Sequence, residues 1–428
     1  MSGEAVSTSP VAASPQDLDD GPAAVPALSP ARRWLAILAL ALGGFGIGVT
    51  EFVTMGLLPD IAADLLPAQY AVDPSGANAQ AGLLVSAYAL GVVVGAPTIA
   101  AAAARWPRKR LLIVLVSVFV LGNLLSAILP SFGLVLAARF FSALPHGAYF
   151  GIASLVAASL MGPGKRARGV AFVLGGLTIA NVVGVPFGTF VGQNFGWRST
   201  YFLVAIIFAV TLAAIALTVP YRPGDPTATM RNELSAFTRA QVWLTLIVAS
   251  IGFGGVFAVY TYVAPVVTDV TGLTASLVPI VLVAFGVGMT IGNFLAGWLT
   301  DRSVKRSLVI SVLGLGVSVL GFALFAHTVP GLFVFVFLIG IFAGACSPAI
   351  QTRLMDVAHN AQSIAAALNH SALNIGNSLG ALLGGLAITA GLGYISPAYV
   401  GVGLAVLGFL ALMVSFGVER RTRSERRS

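Results

Sequence analysis

The chain has 428 residues, of which 57% are hydrophobic and only 9% charged, and its mean hydropathy is +0.95. A soluble domain carries roughly 25% charged residues, so there are too few charges here to cover a water-facing surface, and the bilayer has to take that place. The net charge of +8 sits on residues flanking apolar runs, which argues against nucleic acid as a partner, and the single cysteine, Cys346, excludes an internal disulfide and any multi-cysteine metal site.

Residues 1–30 are rich in Ala, Pro, Ser and Asp, with no apolar run and no basic start, and are expected to form a disordered tail rather than a signal peptide. From Trp34 onward come apolar segments of the length that crosses about 30 Å of hydrocarbon. They are predicted at 34–58, 80–103, 109–129, 133–160, 167–191 and 199–219. A polar, proline-bearing stretch at 220–241 follows, then segments at 242–268, 276–299, 307–326, 330–352, 363–390 and 396–417, and a basic tail at 419–428. The fold class is therefore an all-α polytopic membrane protein with twelve transmembrane helices. The 49 glycines suit helices that approach closely in lipid through small residues.

Lys and Arg are retained in cytoplasmic loops. Assigning alternate loops to opposite sides places 21 of the 23 basic residues on one side, together with both termini and the 220–241 stretch. The other side carries Asp60, Asp64, Asp73 and Asp269, with Arg198 its only basic residue. Both termini are expected to be cytoplasmic in a multi-pass inner or plasma membrane protein.

The chain also repeats. Arg105-Trp106-Pro107-Arg108-Lys109 falls on Arg302-Ser303-Val304-Lys305-Arg306 at an offset of 197, and Asn181, Gly184 and Gly188 fall on Asn377, Gly380 and Gly384 at 196. Two pseudo-symmetric six-helix halves are implied, 31–219 and 242–418, joined by a cytoplasmic linker at 220–241. Parallel halves with a substrate site between them near the midplane are a known transporter arrangement.

Few polar residues interrupt the spans. Glu51 is the only carboxylate within one, and an intramembrane acid either marks a pathway or snorkels to the interface. Arg139, in the fourth span, falls at a similar depth. His146 lies seven residues farther on, on the same helical face as Arg139 and Phe150; it is either a titrating group or a hydrogen-bonded packing residue. His370, Asn374 and Asn377 share a face of the eleventh span as substrate contacts or helix glue. Phe253, Phe257 and Tyr260 form an aromatic stripe on the seventh span and Tyr88 adds a ring from the second. Such rings either pack or line a cavity suited to flat, amphipathic ligands.

At this point the residues resemble the major facilitator superfamily, and within it the twelve-helix drug:proton antiporter group. Gly297-Trp298-Leu299-Thr300-Asp301-Arg302-Ser303-Val304-Lys305-Arg306 resembles its glycine, aspartate and basic loop signature; Ala104 stands where the first copy would carry the acid. Asn181-Val182-Val183-Gly184-Val185-Pro186-Phe187-Gly188 is similar to its antiporter motif, with the proline displaced. Thr50-Glu51-Phe52-Val53-Thr54-Met55-Gly56, Pro145-His146-Gly147-Ala148-Tyr149-Phe150-Gly151 and Ala372-Leu373-Asn374-Ile375-Gly376-Asn377 resemble the arabinose-efflux and chloramphenicol-efflux branch.

The resemblance implies secondary active export of small amphipathic molecules by proton antiport, or transport of a sugar or nucleoside by the same fold. It makes a Glu51–Arg139 pair, with His146 as a third member, the proton-coupling set. It also gives Arg105, Arg108, Asp301, Arg302, Lys305 and Arg306 a gating role. The partners expected are a small-molecule substrate, protons and the lipid bilayer, with the chain as a monomer. No cofactor beyond the proton gradient and no metal are expected. Gly162-Pro163-Gly164-Lys165-Arg166 lacks the spacing and the Ser/Thr of a P-loop. With four histidines and no cluster of catalytic groups at either face, an enzyme is not expected.

Overall fold

The computed structural model describes residues 29–103, 106–161, 165–221, 238–358 and 362–425. Most of the expected tail, Ala104, Arg105, the Gly162–Gly164 string and the linker at 222–237 lie outside these residues.

Twelve helices are long and apolar enough to span a membrane: α1 (Pro30–Gly56), α2 (Pro74–Ile99), α3 (Arg108–Ile128), α4 (Phe132–Met161), α5 (Arg168–Phe195), α6 (Trp197–Thr218), α7 (Ala240–Tyr260), α8 (Ala275–Arg302), α9 (Val304–Phe325), α10 (Val329–Ala358), α11 (Leu368–Leu392) and α12 (Ser396–Arg421). Each falls on a predicted apolar run, and no strand occurs among the described residues. Their starts follow local chemistry. The Ser29 hydroxyl accepts from the Arg32 amide ahead of Pro30, and the Ser303 hydroxyl accepts from the Arg306 amide at the head of α9. Gly196 takes a positive φ of 84°, which lets α5 turn into α6 with no connecting loop.

Two departures from the sequence reading matter. The connection from α1 to α2 is not a loop but two short helices, Leu58–Leu65 and Pro67–Val72. At the other end, helix continues through Glu425, so Glu419 and Arg420 extend α12 instead of beginning a free tail.

Packing inside each half uses small residues where backbones meet. The clearest case joins α8 to α10. A Cβ on Gly288 or Gly292 would collide with the carbonyls of Phe337 or Ile341, and one on Gly340 or Gly344 with those of Phe285 or Met289. Two Gly-x-x-x-Gly runs thus face each other, the arrangement expected where dispersion and not water drives association.

The first half has its own apolar core, built on residues such as Ile37, Phe119, Tyr149 and Phe208. The core of the second half takes in Phe52, Met55, Val85 and Val185 from the first, so the halves meet along α1, α2 and α5.

Candidate functional site between the two halves

Both termini of the helical bundle lie on one face, here the terminal face; α1 runs from it toward the opposite face. Closure at the opposite face is formed by both halves. Leu58, Ala62, Ala77, Ala79 and Ala81 cluster with Tyr262 and Ile388, and the Asn78 amide donates to the Tyr394 hydroxyl at 2.7 Å. Tyr262 is the wedge. It is wholly buried, its hydroxyl donates to the Ala381 carbonyl at 2.7 Å, and that oxygen leaves no room for a Cβ on Gly82 of α2 or Gly385 of α11.

Below this closure, Glu51 on α1 is 6% exposed. The interfacial snorkelling weighed from sequence does not occur: the side chain points between the halves, where the Asn377 amide of α11 donates to Oε1 across a long 3.5 Å contact. Arg139 on α4 is completely buried. The depth match with α1 holds, but the expected direct pair with Glu51 does not form. The guanidinium instead donates to the Thr50 hydroxyl at 2.9 Å and the Thr50 carbonyl at 2.7 Å, one residue short of the acid, whose side chain projects in another direction.

Thr50 passes the contact on. Its hydroxyl donates to the Asn123 amide oxygen of α3 at 2.6 Å, and Asn123 is anchored by donating to the Phe119 carbonyl. Two rings complete the surroundings of the cation, Tyr88 at 4.3 Å and Tyr201 at 5.4 Å from the guanidinium carbon. Arg139 is thus held by hydrogen bonds and aromatic faces, with Glu51 within reach of its charge.

A second layer lies toward the terminal face. The Tyr88 hydroxyl and His146 Nδ1 are 3.2 Å apart. His146 also faces His370 of α11, with ring centroids 5.8 Å apart, and Phe150 stacks flat on His370 at 5.3 Å. Tyr88, His146, Phe150 and His370, named from three helices, therefore converge.

On the second-half wall, Phe257 stacks with Phe52 at 6.2 Å and edge-on with Phe253 at 5.6 Å, while Tyr260 lies against Phe285 at 4.0 Å. Tyr260, Asn374 and Asn377 each keep a buried oxygen without a partner. Asn374 and Asn377 commit their amide nitrogens to the His370 carbonyl and to Glu51, so acceptors remain free. A pocket of about 310 Å³ lies elsewhere, on the outer flank of α3 and α4 against Leu121, Leu125, Leu134 and Phe141. Those side chains are exposed where lipid would lie.

The motif on α5 is structural in this conformation. Residues Ala180–Gly184 form a π-helical turn. Gly184 and Gly188 let α1 approach, with no room for a Cβ on Gly184 against Phe45 and Val49 and a tight fit for one on Gly188 against Val53, and the Asn181 carbonyl abuts Gly286 of α8 across the halves. Pro186 is buried beside them.

The basic loops on the terminal face behave differently from expectation. Asp301 is exposed and takes part in none of the ion pairs among the described residues, while Arg302 lies over the Trp298 ring at 3.5 Å. The acid that organises this corner is Glu419, which pairs with Lys305 at 2.9 Å and Arg353 at 2.7 Å. Arg353 also donates to the Gln241 side chain. Arg108 and Arg306 are at the heads of α3 and α9. Sequence reasoning passed over Glu419, Thr50 and Asn123. A lone asparagine inside the apolar run of α3 was the available signal for the last.

Among the described residues, the hydrogen bonds joining the halves run from Glu51–Asn377 toward the opposite face: Ser86 to the Ser378 carbonyl, Asn78 to Tyr394, and Gln193 to the Ala275 carbonyl. The ion pairs on the terminal face stay within the second half.

The Major Facilitator Superfamily profile matches residues 40–283 and 263–428. The chain is 39% identical over 388 residues to the inner membrane transport protein YdhP of Escherichia coli (strain K12), covering 90% of this chain and 96% of that one. It is 32% identical over 386 residues to a chloramphenicol resistance protein of Streptomyces lividans, covering 89% and 95%. The crystal structure of a D-xylose-proton symporter superposes with a TM-score of 0.69 at 18% identity, covering 89% and 97%, a likeness of fold. A matching profile over nearly all of the helical bundle, and full-length relatives that are membrane transporters, make this chain a member of the Major Facilitator Superfamily.

Proposed function

We propose that the chain is a secondary active exporter of small amphipathic molecules, driven by proton antiport, in which the two halves rock about the site at Glu51. The observation that carries the reading is the placement of Glu51. It is a buried carboxylate on one half, touching Asn377 on the other, with a buried cation fixed on the neighbouring residue. A carboxylate so placed can exchange a proton as the halves move and its surroundings change. A ligand seated between the Phe52–Phe257 wall and the free acceptors of Asn374 and Asn377 would compete for that carboxylate. The terminal face is taken as cytoplasmic, on the distribution of Lys and Arg, and the chain acts as a monomer with no cofactor besides the proton gradient.

A sugar or nucleoside cargo is the second reading. It is favoured by the unpartnered Asn374 and Asn377 oxygens, which suit a ligand rich in hydroxyl donors. Chloramphenicol and pentose uptake into inverted vesicles under an imposed pH gradient tests both. Accumulation that requires protons to move opposite to the ligand supports antiport export. Accumulation only when both move together would replace it with symport.

A further inference from the structure

The contact between His146 and His370 is made by two titratable side chains from opposite halves, and the coupling of Glu51 does not use it. His146 is 2% exposed on α4; His370 faces it from α11. Asn377 is seven residues beyond His370 and His146 seven beyond Arg139, each about two helical turns. The histidine layer therefore lies roughly 10 Å from the Glu51 layer, on the side of the terminal face. A path from Glu51 to that face has to pass it.

We propose that His146 and His370 form one shared proton site, distinct from Glu51, that binds a single proton between the halves. Every neighbour of known charge bears on this. From α2, the Tyr88 hydroxyl faces His146 Nδ1, donating to it when Nδ1 carries no proton and accepting from it when Nδ1 is protonated. From α4, Arg139 lies over the Tyr88 ring, its guanidinium carbon 4.3 Å from the centroid. From α11, His370 faces His146 with ring centroids 5.8 Å apart.

His370 rests flat on Phe150, and a ring face receives a cation favourably. One proton is therefore accommodated and tightens α4 against α11. A second would place two like charges on rings with centroids 5.8 Å apart in a buried site, where repulsion is strong, and would part the halves at this level. Tyr88 links the layers, since it touches both Arg139 and His146.

The test does not need a substrate or a gradient. The melting temperature of the purified protein in micelles is followed from pH 4 to 8 for wild type, His146→Gln, His370→Gln and the double variant, with the exposed His327→Gln as control. Sites that share protons interact by more than about one pK unit. Each single variant is therefore expected to move the midpoint of the pH step by about one unit or more, the double variant to lose the step, and His327→Gln to leave it in place. Single variants that each subtract part of the step with no change of midpoint would overturn the proposal.

Glu51→Gln is expected to keep the histidine step. Its loss there would show that Glu51 is the titrating group and would also overturn the proposal, whereas failure of proton-driven transport leaves this step unaffected. Should the glutamine variants not fold, Tyr88→Phe removes only the hydroxyl on Nδ1. It is expected to move the midpoint with the amplitude retained, and an unmoved midpoint contradicts the shared site.

Discussion

Arg139 donates two hydrogen bonds to Thr50 and leaves Glu51, the next residue along α1, to Asn377 of the other half. The cation is thereby fixed to the backbone of α1 while the acid reports on the position of α11. In the antiport proposed above, coupling would follow from movement of the second half past Glu51, with Arg139 held on Thr50.

Thr50 is the hinge of that arrangement. Thr50→Val keeps the shape and removes the hydroxyl that Arg139 and Asn123 share. Leaving buried polar groups unsatisfied costs about 1–3 kcal/mol, so the variant is expected to melt earlier and lose most of its transport, with Thr50→Ser close to wild type. Melting curves and vesicle transport at matched expression check this. Wild-type behaviour of Thr50→Val would mean that the clamp is dispensable.

The α8–α10 contact gives a cleaner test of packing. Gly340→Val drives a side chain into the Phe285 carbonyl, whereas Gly297, with nothing within 4 Å, accepts a methyl freely. Overpacking costs about 1–3 kcal/mol. Gly340→Val is therefore expected to lower stability and yield, and Gly297→Ala to change neither, as followed by size-exclusion chromatography and melting temperature.

Gly82→Ala and Gly385→Ala should interfere with closure of the opposite face, because each places a methyl against the Tyr262 hydroxyl. Ligand binding is expected to survive while transport slows by about tenfold, the effect of roughly 1.4 kcal/mol on one conformational state. Equal transport rates in both variants and wild type would remove Tyr262 from the gate.

On the terminal face, Glu419→Gln leaves the nearly buried Arg353 without its anion, a loss on the order of 1–3 kcal/mol for a charged hydrogen bond. Asp301→Asn alters an exposed side chain and is expected to stay within about 0.5 kcal/mol. Any transport defect of Asp301→Asn has to arise in a conformation other than this one. Thermal melts of the two variants give the order directly, and a larger loss for Asp301→Asn would reverse the assignment.

The twelve helices were legible because the period of the solvent is the length of an apolar run, and the superfamily because Asp301–Arg306 and Asn181–Gly188 stand at fixed places along it. That Glu51 and Arg139 fall at a similar depth, and that His146 shares a helical face with Arg139, was also legible, but the direct pairing expected of the first two does not form. Their partners were not legible. Whether Arg139 meets Thr50 or Glu51 depends on which way two adjacent side chains project from one helix, and run length carries no trace of that. Glu419 was hidden for a different reason: five arginines at 420–427 make the end of α12 resemble a solvated basic tail, and only the position of Arg353 on α10 shows that one acid beside them is inward.

The most direct test of the proposed coupling at Glu51 is Glu51→Gln in proteoliposomes, comparing movement of a ligand that the wild type transports with and without an imposed pH gradient. The amide keeps the shape and can still meet Asn377, so folding and equilibrium binding are expected to persist, with gradient-driven transport reduced to the passive level. Transport by Glu51→Gln at the wild-type rate with the same pH dependence would contradict the coupling role of this carboxylate.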